Sequence, residues 1–149
     1  QPGEKGVIQD LAREAFRGYF GHYHADPRLD KALCDKAYSD WAAQSCEGID
    51  GNHEILLAED KDRIAGFYTI RLNSGTEGEG VLVAIHPDCR GRGVYRALCL
   101  ASARWCRDQG RKRIITSTQI RNLSVQRTWT RAGSIPLSFH YTFHKWFDR

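Results

Sequence analysis

Methionine is absent from the 149 residues, proline occurs four times, and no apolar run approaches the length needed to cross a membrane. The first absence, which includes position 1, leads us to expect further sequence ahead of Gln1. The last excludes a membrane-spanning helix, and no secretory apolar region is present either. Five cysteines, Cys34, Cys46, Cys89, Cys99 and Cys106, contain no C-x-x-C pair and are odd in number. That pattern suits free thiols in a reducing, cytoplasmic setting, and it offers no metal site. Two phosphate-binding signatures are also missing, since neither G-x-x-x-x-G-K-[ST] nor G-x-G-x-x-G occurs.

What is present suits a single folded domain over residues 1–149, with 41% apolar residues and 11% aromatics. Charge is unevenly placed. Residues 1–80 hold 15 acidic and 9 basic side chains, whereas residues 81–149 hold 3 and 13, so a net −6 faces a net +10. Such an asymmetry points to an anionic partner, either a phosphorylated cofactor or a nucleic acid.

One stretch organises the rest. Residues 81–85, VLVAI, form an apolar run without polar alternation, as in a strand buried on both faces. Arg90, Gly91, Arg92 and Gly93 follow, and from Val94 apolar residues recur at Leu98, Ala101 and Trp105, a helical stripe closed by Gly110. Glycines that let successive amides converge ahead of a helix N-terminus make a phosphate cradle. An exposed arginine-rich turn explains the same tetrapeptide without a ligand. Of the cysteines, Cys89 in this turn is the one to test for reactivity.

Around this centre, helical spacing predicts helices over residues 5–20 and 31–44, the second with Leu33, Ala37, Tyr38 and Trp41 on one face. Residues 45–52 read as a loop. Residues 54–58 and 63–72 read as a hairpin, so with the organising strand they make an antiparallel meander. Residues 113–119 are predicted as a strand parallel to the organising one, residues 122–132 as a helix with Val125, Trp129 and Ala132 on one face, and the tail, residues 135–147, as one or two strands. The fold class is α+β (α/β), a mixed central sheet with helices on both faces. In the loop after the first helix, His22, Tyr23 and His24 are either substrate contacts or solvated side chains.

This order of elements, with VLVAIHPDCRGRGVYRAL at its centre, resembles the GCN5-related N-acetyltransferase (GNAT) superfamily, whose loop is Arg/Gln-x-x-Gly-x-Gly/Ala. The resemblance covers nearly the whole chain and lacks only the first family strand, expected upstream of Gln1. Tyr95 departs from it, standing where the family has Gly or Ala. More narrowly, AREAFRGYFGHYHADPRL, TSTQIRNLSVQRTW and HYTFHKWF are similar to the branch that acetylates amino-deoxy sugars on nucleotides.

The resemblance implies acetyl-CoA as cosubstrate, with no metal. Backbone groups of Val83, Ala84 and Ile85 would pair with the pantetheine amides. Arg90, Gly91, Arg92, Gly93, Val94 and Tyr95 would hold the diphosphate. Asn122 would contact the pantetheine arm or serve simply as a helix cap. Glu79 stands at the family interval before Arg90 and is the candidate base; a strand-end carboxylate is the plain alternative. Trp129 stands where many members have a tyrosine near the thiolate, and because indole is no practical acid, Tyr141 or solvent is left to protonate the thiolate. His86 is expected to be structural. His22, Tyr23, His24, Tyr68 and Arg71 are the acceptor-pocket candidates, with Arg71 facing a nucleotide phosphate. The expected partner is a small-molecule amine, a nucleotide sugar by preference and not a membrane; the alternatives are a peptide or plain small-molecule amine as acceptor, or a non-catalytic module that binds acetyl-CoA or nucleic acid. A homodimer is left open.

Overall fold

The computed structural model describes residues 4–47, 53–73 and 75–147. Residues 48–52 of the expected loop, and Ser74, lie outside them. Two helices open the chain, α1 (Glu4–Ala15) and α2 (Lys31–Ser45). Three strands follow, β1 (His53–Asp60), β2 (Arg63–Leu72) and β3 (Glu77–Ile85), then α3 (Val94–Asp108), β4 (Arg113–Thr116) and α4 (Leu123–Arg131). The sheet order is β1-β2-β3-β4, antiparallel in the meander and parallel between β3 and β4.

Each face of the sheet carries its own core. Ile8, Leu11 and Ala12 of α1, with Tyr38 and Ala42 of α2, pack on Phe67, Leu82 and Ala84. On the other face Leu98 and Cys106 of α3 pack on Tyr68 and Ile70, with Val83, Ile85 and Ile114 partly buried beside them. β2 is therefore buried on both sides, its residues 65–70 being all buried. Each large apolar side chain so placed contributes about 1.5–3 kcal/mol.

Local chemistry sets the helix limits. Asp30 caps α2 by accepting from the Leu33 amide at 3.0 Å. Beyond Asp108, Gly110 (φ 74°) closes α3, with Gly110 N–H donating to the Arg107 carbonyl and Arg111 N–H to that of Cys106, a Schellman closure. Leu98 of the expected stripe is buried and Val94 and Trp105 pack beside it, while the centre of the inner face runs through Ser102 and Cys106.

Three expectations are corrected here. α1 ends at Ala15, five residues before the expected limit. In α2 the inward face is Cys34, Tyr38 and Ala42, one residue out of phase with the expected stripe, so Leu33 and Trp41 are 67% and 40% exposed. Tyr38 sets that phase by stacking on Phe16 at 4.8 Å between ring centroids. Lastly, the tail forms no strand. Residues 134–147 have neither helix nor strand, and Ile135, Leu137, Phe139, Tyr141 and Phe143 are at least 73% exposed. Its far end is tied down by polar contacts instead, with His144 Nδ1 2.7 Å and Trp146 Nε1 2.9 Å from Asp26.

Candidate functional site

The turn between β3 and α3 is built by backbone. His86 caps a 3-10 turn over Pro87–Cys89, accepting from the Asp88 amide at 3.2 Å, while its Nε2 sits 3.0 Å from Glu14. It is structural, as expected. Gly91 (φ 74°) and Gly93 (φ 83°) then take left-handed conformations, which costs a side-chain-bearing residue about 1 kcal/mol or more. No backbone bond among the described residues takes up the amides of residues 91–96, and Gly91, Arg92, Gly93 and Arg96 are exposed. The first-turn amides of α3 are orphans by geometry, and the helix dipole adds partial positive charge there.

The arginines are differently employed. Arg90 donates to the Ala15 carbonyl at 2.6 Å, closing the end of α1, and Arg92 pairs with Asp60 at 2.7 Å. Anion-binding capacity at the turn therefore rests on its amides and on exposed Arg96. Cys89 is 1% exposed, with the Arg63 guanidinium donating to its sulfur at 3.4 Å, so the thiol expected to be testable for reactivity is shut in the core.

Beside this turn the sheet splits. β4 pairs with β3 only over Glu77–Arg113, Gly78–Ile114, Glu79–Ile115 and Gly80–Thr116. Beyond Gly80, β3 runs on to Ile85 while the chain after Thr116 turns away, so Val81, Leu82, Val83, Ala84 and Ile85 have no strand on that side among the described residues. On the β2 side the register jumps, Thr69 facing Leu82 and Ile70 facing Gly80, so Val81 is the extra residue of a bulge. The buried Thr69 hydroxyl accepts from the Leu82 amide at 2.9 Å and donates to the Leu82 carbonyl at 3.2 Å. A free strand edge of five residues, leading away from a set of free amides, can pair with a linear ligand that carries amides and ends in a diphosphate.

At the apex, where Gly80 meets Thr116, the two faces differ. On the α1/α2 face Glu79 is bonded by Arg71 at 2.5 Å and by Asn73 Nδ2 at 3.3 Å. Arg71 thus meets the candidate base, and its guanidinium is already committed. On the α3 face, a methyl group at position 80 would come within 2.1 Å of the Tyr68 hydroxyl. Tyr68 is 2% exposed, and burial pushes its pKa up to about 12, so the expectation that it lines an acceptor pocket is corrected: it is core. Tyr95 lies beside Tyr68 and Cys99, and burial raises its pKa strongly as well.

The corner between α1 and α2 supplies the remaining candidates. His22 Nδ1 lies 3.4 Å from Gln119 Nε2, which brings this corner to the mouth of the split. Burial, then His144 and His24, hold its pKa below the usual value. Tyr23 is 38% exposed, its ring 4.0 Å from that of His22. His24 has both ring nitrogens engaged, Nε2 2.9 Å from Asp35 and Nδ1 accepting from the Gly21 amide, so the structure makes it a brace. Asp26 has its pKa lowered, first by the Arg28 amide and next by His144. Asn122 caps α4 through the Val125 amide, while its Nδ2 donates to Thr118 at 3.1 Å. Tyr141 is 88% exposed on the tail, where it touches the Phe143 ring and is not brought to the apex.

Comparison with known proteins agrees with this geometry. The profile of the Acetyltransferase (GNAT) family matches residues 8–133. The chain belongs to the GNAT family. Mycothiol acetyltransferase of Rhodococcus jostii is 36% identical to this GNAT chain over 136 residues, 87% of the chain and 43% of that protein. Spore coat polysaccharide biosynthesis protein SpsD of Bacillus subtilis is 23% identical over 146 residues, 98% of the chain and 49% of that protein. The chain spans about half the length of the curated relatives it matches. Among solved structures, aminoglycoside N-acetyltransferase AAC(6')-Iy in complex with CoA superposes with a TM-score of 0.70 at 15% identity, covering 97% of this chain and 90% of that one. That likeness shows the fold.

Within this GNAT domain, no group of three or more metal-ligating side chains occurs among the described residues, and none of its described helices is long and apolar enough to cross a membrane. Sequence reasoning missed Thr69, Gln119 and Asp26. No local pattern marks them, because each acts through a partner that only the fold brings near.

Proposed function

We propose that the chain is an acetyl-CoA-dependent N-acetyltransferase acting on a primary amine, and that the amine belongs to a nucleotide-linked amino sugar. One observation carries the acetyl-CoA part: a strand edge left open from Val81 to Ile85 leads from the free amides of residues 91–96 to the apex at Gly80. Diphosphate held by those amides, and pantetheine amides paired along the edge, would bring the thioester to the apex. The cosubstrate supplies an activated acetyl group.

The protein's own work is then positional and electrostatic. The amine enters on the face of Glu79 and the corner holding His22 and Tyr23, and Glu79 accepts its proton through water. Arg71 holds that carboxylate in place; an acceptor phosphate would be a second partner for the guanidinium's remaining N–H groups. The amine nitrogen forms its bond to the acetyl carbon as the carbon–sulfur bond breaks, with the electron pair passing to sulfur.

The likeness to SpsD and the half-buried aromatic corner support a sugar acceptor, since aromatic rings stack well on sugar faces and bases. Higher identity to the mycothiol acetyltransferase of R. jostii favours a second reading, a small-molecule amine without a nucleotide. Five free cysteines support a reducing compartment. Calorimetry with acetyl-CoA, followed by thiol-release assays over dTDP- and UDP-amino sugars and over plain small amines, tests both parts. Absence of acetyl-CoA binding would reject the first, and turnover confined to plain amines would reject the second.

A further inference from the structure

The tail that follows α4 turns its apolar side chains to solvent. Ile135, Leu137, Phe139, Tyr141, Phe143 and Phe147 are each 73–88% exposed. The first five recur at every second position, and between them stand Pro136, Ser138, His140 and Thr142. That is the pattern of a strand with one face meant for burial. Yet residues 135–147 make no backbone bond among the described residues. The tail is held instead through even-numbered positions, His144 Nδ1 lying 2.7 Å and Trp146 Nε1 2.9 Å from Asp26, with the Arg28 guanidinium 4.6 Å from the centre of the Trp146 ring. This anchor fixes the tail against its own α1–α2 corner and leaves the odd-numbered apolar residues outside.

The area and the charge of this surface select its partner. A monomer's largest apolar patch is about 300–600 Å². Covering the six side chains removes on the order of 800 Å² from water, since an aromatic side chain alone buries about 150–250 Å². Each partner in a standard specific interface contributes about 800 Å² as well. Lys145 is the one formally charged residue in 134–147, whereas a surface for nucleic acid or anionic lipid interleaves cations with its rings. Low charge and abundant aromatics mark the centre of a protein–protein interface. The order of side chains is also self-complementary. When two copies run antiparallel about Phe139, Ile135 meets the partner's Phe143, Leu137 meets the partner's Tyr141, and Phe139 meets the partner's Phe139. Every contact then includes an aromatic ring, and one surface serves both chains.

We propose that the tail is the interface of a homodimer, in which residues 135–143 of two copies pack apolar side to apolar side, antiparallel, about a two-fold axis at Phe139. Asp26 sets the side that each tail presents, by holding His144 and Trp146 inward. The interface uses neither the open edge of β3 nor Glu79, so it stands or falls apart from the acetyl-CoA reading.

The test is the oligomeric state of the full chain. Sedimentation equilibrium should give twice the mass of one chain at high protein concentration, and the thermal midpoint should rise with concentration. Phe139→Glu sets two carboxylates against each other at the axis and should weaken the dimer about 100-fold or more. Ser138→Glu, one residue away and off the apolar side, should weaken it less than about threefold. Both positions are exposed, so far-ultraviolet circular dichroism should show wild-type helix content in each variant. Leu137→Glu repeats the test on the same side should Phe139→Glu not fold. A wild type that stays monomeric throughout, or equal dissociation by Ser138→Glu and Phe139→Glu, overturns the proposal. In a monomer, tail amides protected from hydrogen exchange would place the tail on its own β4, and pelleting with anionic lipid vesicles would assign it to a membrane; either result overturns the dimer.

Discussion

Thr69 and Leu82 exchange two hydrogen bonds across the β2–β3 ladder, the Leu82 amide donating to Oγ1 at 2.9 Å and the hydroxyl donating back to the Leu82 carbonyl at 3.2 Å. A side chain has thus taken over a ladder position. The register can therefore slip by one residue at Val81 without orphaning the buried peptide beside it. Thr69→Val keeps the shape and removes both bonds. It should lower stability by about 1–3 kcal/mol and raise the acetyl-CoA KM, because the open edge begins at the bulge. Thr69→Ser should restore most of both. Chemical denaturation and calorimetry check the pair; wild-type KM in the valine variant would show that the bulge is not a binding element.

Gly93 offers a cleaner separation of folding from binding. Its φ of 83° caps α3, and a Cβ there meets nothing within 4 Å. Gly93→Ala should therefore cost about 1 kcal/mol of stability from backbone strain alone. Any loss of CoA affinity beyond that reports displaced amides. A loss of about tenfold or more for CoA, with a smaller loss for dephosphorylated pantetheine, is the expected result, measured by calorimetry with both ligands.

The strand, turn and helix from Glu77 to Asp108 were legible because their signals are local: an apolar run, two glycines and a helical stripe within one continuous stretch. Tyr68 was not, since β2 is buried on both faces and alternation cannot tell which side is lined by solvent. In α2 Tyr38 was placed on the inner face correctly, whereas Leu33, Ala37 and Trp41 lie one residue out of phase with it. Leu33/Ala37/Trp41 and Cys34/Tyr38/Ala42 are equally helical spacings, and only the stacking of Tyr38 on Phe16 decides between them. The tail has strand-like alternation, yet a strand needs an edge to join, and pairing is non-local. Trp129 shows the reverse case: the helix and its inward face were readable, whereas the neighbours its indole meets, Tyr95 and Cys99, were not.

Glu79 and Arg71 share one ion pair, and substitutions can part the two roles proposed for them. Glu79→Gln should cut kcat by about 10²–10⁴ if the carboxylate takes the amine proton. It should leave acetyl-CoA affinity near that of the wild type. Arg71→Ala should raise the acceptor KM, most for a nucleotide-linked acceptor and least for a plain amine. An unchanged acceptor KM in Arg71→Ala would leave the guanidinium the sole role of holding Glu79 at 2.5 Å.

Tyr68 sets an alkaline limit on the fold. Its hydroxyl, held at a pKa of about 12 by burial against an ordinary value of 10.0, stays protonated in the native state after it has ionised in the unfolded chain. A raised folded pKa contributes stability that is complete below pH 10 and is lost as pH climbs from 10 toward 12. Two pH units correspond to about 2–3 kcal/mol at most. Tyr68→Phe deletes the ionising oxygen and leaves Gly80 facing the same ring. Urea unfolding at several pH values should show the wild type weakening through this window while the phenylalanine variant falls less steeply, by about half or more of that amount. Equal slopes would mean that the hydroxyl is hydrated in the native state and that the α3 face of the apex is open to water.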